Sequence, residues 1–176
     1  NLKDIVDKFS SDTDIILIEG LKKGPTKKIE VYRDSIKKPL ICLKDKIKSI
    51  EDCELKKFAK NIVFSDGNPK SQIMIVGEGP GEKEDLLGKP FVGEAGMLLN
   101  KMLNAIKIKR ENIYITNVVN YRPPNNRKPE FSEIKRYSVF LREHISIINP
   151  KILILMGSTA MEALLGQKLK ISKERG

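Results

Sequence analysis

Three short apolar runs punctuate the second half of the chain: Ile73-Met-Ile-Val76, Ile113-Tyr-Ile-Thr-Asn-Val-Val119 and Lys151-Ile-Leu-Ile-Leu-Met156. Each is too short for a helix, rich in β-branched residues and closed by a glycine or asparagine, which is the pattern of a buried strand. Helical stretches separate them. Ala95 to Ile106 carries Leu98, Leu99, Met102 and Leu103 on one face, and Ser132 to Ile147 reads as a helix capped by Ser132 with Glu133 in its first turn. After the third run, Ser158 opens a helix ending near Gly166. Strands that alternate with helices pair in parallel through right-handed crossovers. Strands that are apolar on both faces need helices above and below. The expected fold is therefore α/β, a three-layer α/β/α sandwich around a short, mainly parallel sheet.

Upstream, the chain changes character near Lys46. A helix is predicted over Ile47 to Lys57, followed by Asn61-Ile-Val-Phe64 and the turn Ser65-Asp-Gly-Asn-Pro69. Residues 1–45 read differently: a helix at Leu2 to Phe9, a strand-like Asp14-Ile-Ile-Leu-Ile18, a polar stretch from Gly20 to Lys28, and a second strand-like piece from Lys28 to Tyr32. No catalytic motif falls there. The expected organisation is an N-terminal appendage, 1–45 and partly flexible, joined to a domain at 46–176.

Lys and Arg total 33 against 23 Asp and Glu, a formal charge of +10. Such an excess favours a polyanionic partner, nucleic acid before an anionic membrane surface. A chain rich in Lys, Ile and Asn also reaches that charge through codon bias alone, so charge by itself leaves the partner open. No apolar run is long enough to span a bilayer, and residues 1–11 lack a secretory core; a cytoplasmic protein with no membrane partner is expected. The two cysteines, Cys42 and Cys53, are too few for a disulfide framework or for a closed four-ligand metal site.

In parallel sheets of this kind, ligands bind outside the carboxyl ends of the strands. That rim collects Gly77 to Gly81, Asn117 to Pro124, and Gly157-Ser158. Gly77-Glu-Gly-Pro-Gly81 fails the dinucleotide fingerprint, because Glu82 stands where the third glycine belongs. A glycine-packed backbone can still approach a planar base closely. Taken singly, the rim residues have ordinary readings. Phe91 suits a core, Asn117 a turn, and Glu78, Glu84 and Asp85 a solvated acidic patch.

The longer string Gly77-Glu-Gly-Pro-Gly-Glu-Lys-Glu-Asp-Leu-Leu-Gly-Lys-Pro-Phe-Val-Gly-Glu-Ala-Gly96 is far more specific. It resembles the first motif of the family 4, iron–sulfur-type uracil-DNA glycosylases. Asn117-Val-Val-Asn-Tyr-Arg-Pro-Pro-Asn-Asn-Arg-Lys-Pro129 resembles that family's next block. Pro150-Lys151, Met156-Gly157, Ala160 and Leu164-Leu-Gly166 resemble the third. The likeness runs in order from about Cys53 to Gly176, with the first fifty residues outside it. It implies excision of uracil from single- or double-stranded DNA by hydrolysis of the N-glycosidic bond, after the nucleotide is flipped out, by a monomer.

Carried over by position, Glu78 and Gly79 line the uracil pocket, with Gly79 where another branch keeps a water-activating Asp. Glu84 closes the pocket at the pyrimidine C5 edge, Phe91 stacks on the base, and the Asn117 carboxamide reads its Watson–Crick edge. Glu78, Gly79 and Asn117 are the expected catalytic positions. Arg122, Asn125, Arg127 and Lys128, with Ser158, are expected to meet DNA phosphates. Two departures stand out. The family's four cluster cysteines align with Ile50, Cys53, Tyr121 and Tyr137, so the expectation is no cofactor, with the vacated space packed by apolar and aromatic side chains. The family's His-containing last motif, after a fourth strand, falls beyond Arg175-Gly176, and His144 cannot replace it by position. A surface or helix-packing role is expected for His144. The competing readings are a uracil- or DNA-binding relative without catalysis, and an unrelated nucleotide-binding α/β protein that uses the glycine loop as a phosphate nest.

Overall fold

The three apolar runs form the middle of one sheet. A computed structural model of the chain describes residues 14–18 and 37–166. In it β3 is Ile73–Gly77, β4 is Tyr114–Asn117 and β5 is Ile152–Met156. Two further strands, β1 (Asp14–Ile18) and β2 (Asp66–Gly67), extend the edges to give the order β1-β5-β3-β4-β2. β3 pairs in parallel with both β4 and β5, and β1 runs parallel to β5. Only the two-residue β2 is antiparallel, against β4. The expected α/β class and the mainly parallel sheet are both present.

Six helices are described: α1 (Lys37–Lys48), α2 (Glu54–Phe58), α3 (Glu82–Leu87), α4 (Glu94–Ala105), α5 (Phe131–Ile148) and α6 (Ser158–Leu165). Alternate strand residues point to opposite faces, and this divides the core in two. Met74, Val76, Tyr114, Leu153 and Leu155 pack with Leu43 and Ile47 of α1, Ile134, Tyr137 and Leu141 of α5, and Ala160 and Leu164 of α6. On the other face Ile75 and Ile115 meet Leu99 and Leu103 of α4. Each of these larger side chains contributes about 1.5–3 kcal/mol by leaving water. Both faces of the sheet are thus covered, which is why its central strands could be apolar throughout.

Element boundaries differ from expectation in several places. The single helix read over Ile47 to Lys57 is two helices, broken where Asp52 takes a left-handed φ of 48°. The first of them begins at Lys37, because Leu40, Leu43 and Ile47 share a face that is buried; it runs across the boundary expected at residue 46. α5 starts before Ser132: its cap is Glu130, whose backbone N–H donates to the Glu133 carboxylate at 2.7 Å in a reciprocal capping box. The acidic stretch after Gly81 forms the short helix α3, whose buried Asp85 accepts the backbone N–H groups of Lys60 at 2.9 Å and Asn61 at 3.0 Å. Asp14–Ile18, read as part of an appendage, lies in register along β5. The helix expected at residues 2–9 and the strand expected at 28–32 lie outside the described residues. Among the described residues, no helix is long and apolar enough to cross a membrane.

Candidate functional site

Strands β3 and β4 end together, with Gly77 paired to Asn117. The pairing continues past the strands, as Val118 N–H donates to Gly77 O at 2.9 Å and Val119 N–H to Glu78 O at 3.2 Å. Beyond these ends opens a cavity of about 550 Å³. Glu78, Gly79, Glu84, Phe91 and Asn117 all line it, together with Gly77, Gly81, Met156 and Gly157. Every residue expected in the base pocket is therefore on one wall or another of a single cavity at the carboxyl rim.

Phe91 and Asn117 meet across Gly77. A Cβ on Gly77 would lie 2.5 Å from both Asn117 Oδ1 and Phe91 Cζ, so only glycine leaves room for the aromatic ring beside the carboxamide. Asn117 itself is buried. Phe91 has a left-handed backbone, φ 53°, a conformation that costs a non-glycine residue about 1–3 kcal/mol and persists only where surroundings enforce it. Gly96 forms part of that enforcement: any Cβ there would run into the Phe91 carbonyl. Glu84 forms another part. Its Oε1 accepts the N–H groups of Val92 at 2.8 Å and Gly93 at 2.6 Å, so the carboxylate expected at the C5 edge also holds the loop that carries Phe91.

On the opposite wall, Glu78 Oε2 accepts a hydrogen bond from Thr159 Oγ1, a fully buried hydroxyl in the first turn of α6. A Cβ on Gly79 would lie 2.7 Å from Val119 Cγ2, so a side chain at that position would require Val119 to move. α4 supplies a wall that the sequence did not reveal: Glu94, Ala95, Leu98 and Met102. The apolar face read along this helix is in fact split. Leu99 and Leu103 enter the core, while Leu98 stays half exposed at the cavity. Helical spacing marks an apolar stripe but cannot say which part of it is covered.

The expected phosphate-binding residues lie on the loop after β4 and at the start of α6. Arg122 Nε donates to Asn126 Oδ1 at 2.7 Å, and Nη1 lies 3.9 Å from Glu82. Asn125 is exposed with a left-handed φ of 54°. Arg127 is engaged elsewhere, in a bidentate pair with Glu133 at 2.7 and 2.8 Å. Burial would raise the Glu133 pKa, but the guanidinium and the Glu130 N–H outweigh it and hold the carboxyl below its ordinary value. Lys128 Nζ reaches Ser158 Oγ at 3.4 Å from an exposed position, joining the loop to the start of α6.

Of the surface and helix-packing roles expected for His144, the fold gives it the second: the residue is away from the cavity and buried. It stacks on Phe64 at 4.6 Å, and its Nε2 is 2.8 Å from Tyr114 Oη, which also donates to Ser65. Burial pushes its pKa down to about 3, so the ring is neutral. The four positions aligned with the family's cysteines also gather in the core. Cys53 Sγ is 3.4 Å from Tyr137 Oη, with Tyr121 in the same core cluster and Ile50 packed against it. Burial raises the pKa of both tyrosines, and Cys53 adds to the effect.

Comparison with known proteins bears on this geometry. The family model for the uracil DNA glycosylase superfamily matches residues 64–175. A second model, molybdopterin guanine dinucleotide synthesis protein B, matches residues 1–51, the segment holding β1 and α1. A type-4 uracil-DNA glycosylase of Thermotoga maritima is 45% identical over 75% of this chain and 69% of its own length. Those of Saccharolobus solfataricus and Sulfurisphaera tokodaii are 49% and 47% identical, over 64% and 70% of this chain. The chain spans only 53% and 55% of those two relatives.

These matches correct the expectation of no cofactor. Type 4 is the iron–sulfur branch that the motifs resemble, so kinship with it implies a cluster rather than none. The expectation of none rests on the thiols missing from three of the four aligned positions. Those positions do not by themselves fit a four-thiolate site, since Ile50, Tyr121 and Tyr137 surround one cysteine. Nor, among the described residues, do three or more His, Cys, Asp or Glu gather to hold a metal ion. The motifs in their order, the shared cavity and the extent of the matches agree, and the chain belongs to the uracil DNA glycosylase superfamily and, within it, to the type-4 uracil-DNA glycosylases.

Proposed function

We propose that the protein excises uracil from DNA by hydrolysing the bond between uracil N1 and deoxyribose C1′, as the first step of base-excision repair. The observation that carries this reading is the pairing of Phe91 with Asn117 across Gly77 inside one cavity. An aromatic face beside a carboxamide edge suits a flat heterocycle with alternating donors and acceptors. The carboxamide offers one of each, which matches the N3–H and an adjacent carbonyl oxygen of uracil. Uracil cannot reach such a cavity from within a duplex, so the nucleotide rotates out of the stack first.

Bond cleavage leaves the electron pair on uracil and positive character at C1′. The ring then has to be stabilised as an anion, and donors held in place in a dry cavity do this most effectively. Asn117 is the donor this chain contributes. Water adds to C1′, and its proton ends on the departing uracil anion by way of solvent, so that neutral uracil and an abasic sugar hydroxyl are released. Gly79 offers no carboxylate for that step; of the three glutamates at the wall, Glu78, held by Thr159, stands at the expected catalytic position to orient the water. Stabilisation of the leaving base therefore carries more of the rate than activation of the nucleophile. Glu84 bounds the C5 side, where the methyl group of thymine would need room. Arg122, Asn125 and Lys128 on the loop after β4, with Ser158 at the start of α6, meet phosphates of single- or double-stranded DNA, bound by a monomer in the cytoplasm.

The test is release of uracil from a labelled single-stranded oligonucleotide by the full-length protein. Release, together with protection by free uracil but not by mononucleotides, is expected. Folded protein that binds uracil-containing DNA without releasing the base would overturn the catalytic reading.

A further inference from the structure

Arg110 sits outside the cavity, just before β4, and its guanidinium bonds either hold the Phe91 loop or fix the guanidinium itself. Nη2 donates to Pro90 O at 2.6 Å and Nη1 to Phe91 O at 3.0 Å. The guanidinium is fixed from behind, by Asp66 Oδ2 at 3.0 Å from Nε and by Asn100 Oδ1 at 3.2 Å from Nη1. Its side chain is only 21% exposed. The two carbonyls it holds belong to the peptides immediately before and after the left-handed Phe91. On the far side of the same residue, Glu84 accepts the next two N–H groups.

We infer that Arg110 is a positioning residue for base recognition, acting through Phe91. It takes the carbonyl side of the loop while Glu84 takes the N–H side, so the strained backbone is clamped from both directions and the ring is held over Gly77. Arginine suits this task because its planar fork delivers parallel N–H donors in fixed geometry, which a lysine ammonium does not. Asp66 belongs to β2, and this gives the two-residue antiparallel strand a purpose beyond extending the sheet: it anchors the carboxylate that aims the guanidinium. A guanidinium serving only as half of a surface ion pair would not also bond both loop carbonyls. The inference deepens the proposed function and rests on it for the identity of the base.

The experiment uses the full-length protein, wild type beside R110Q, R110K, F91L and the double variant R110Q/F91L. Amide exchange at Val92 and Gly93, read without substrate, is expected to quicken about tenfold or more in R110Q while exchange in the β3–β4 core stays unchanged. Single-turnover uracil release is expected to fall about 100-fold in R110Q, with the affinity for uracil-containing DNA held within about twofold, as phosphate contacts dominate it. R110K is expected to restore the melting temperature but not the rate. The double variant is expected to be no slower than F91L, because both changes act through one ring. Additive losses in the double variant, or unchanged exchange at Val92 and Gly93, would overturn the inference. If wild-type protein releases no uracil, the proposed function fails separately, and the exchange data alone then decide whether the clamp exists.

Discussion

A methyl group at Gly77 would collide with the Phe91 ring and with Asn117 Oδ1, both 2.5 Å from its position. Neither can retreat freely, since the ring is carried by a clamped loop and the carboxamide by the last residue of a central strand. Gly77→Ala is therefore expected to lower single-turnover uracil release about 100-fold, the cost of misplacing a reacting group by about 1 Å. The variant should still unfold cooperatively, and calorimetry beside the kinetic assay separates the two effects. Asn117→Asp tests the carboxamide differently. It keeps the shape but removes the donor, and a loss of about 10²–10³ in rate is expected from removing one donor to the developing anion. Equal rates for wild type and Asn117→Asp would rule out that role. Asn117 and Phe91 were legible in the sequence because they stand inside long motifs. Arg110 was not, because its partners Asp66, Pro90 and Asn100 lie 44, 20 and 10 residues away and meet only in the folded chain.

At the scale of elements, the loop from Arg122 to Lys128 divides its charges between structure and ligand. Arg127 closes a bidentate pair on Glu133, and Glu133 in turn caps α5. Arg127→Met is expected to cost up to about 1 kcal/mol, the upper range for a partly exposed ion pair, which lowers the melting temperature by about 2–4 °C in a domain of this size. Its effect on DNA affinity should be smaller than that of Lys128→Ala. Lys128 is exposed beside Ser158, and its loss should reduce the slope of log K against log salt by about 1. Titrations at several salt concentrations check both statements. A basic loop announces phosphate binding in sequence. Which of its cations are already engaged depends on the helix that packs behind it, and no local pattern reports this. The same limit explains the misplaced start of α5: Ser132 is the better cap residue by type, but Glu130 and Glu133 satisfy each other first.

At the scale of the molecule, one buried group bears on acid stability: His144, stacked on Phe64 and bonded to Tyr114. Its pKa falls from 6.5 to about 3 on folding, because burial penalises the charged ring. The unfolded chain therefore binds the extra proton first. Stability from this group is complete above pH 6.5 and is lost as the pH falls toward 3, at about 1.4 kcal/mol per unit. His144→Gln keeps a hydrogen-bonding group near Tyr114 but cannot titrate there, so its unfolding free energy should fall less steeply between pH 6 and pH 4. Parallel slopes for the two proteins in urea titrations would exclude the assignment.

Periodicity and motif order determined the class of fold, the central strands, the rim on which chemistry gathers and the family, because each depends on short-range spacing along the chain. The apolar runs had to be buried strands, and strands joined by helices had to run parallel. Tertiary structure decided the rest. It split the α4 stripe between core and cavity, set β1 along the edge of β5, and turned Glu84 and Arg110 into the two sides of one clamp. These are contacts between residues remote in sequence, and their geometry exists only once the sheet has brought its strand ends together.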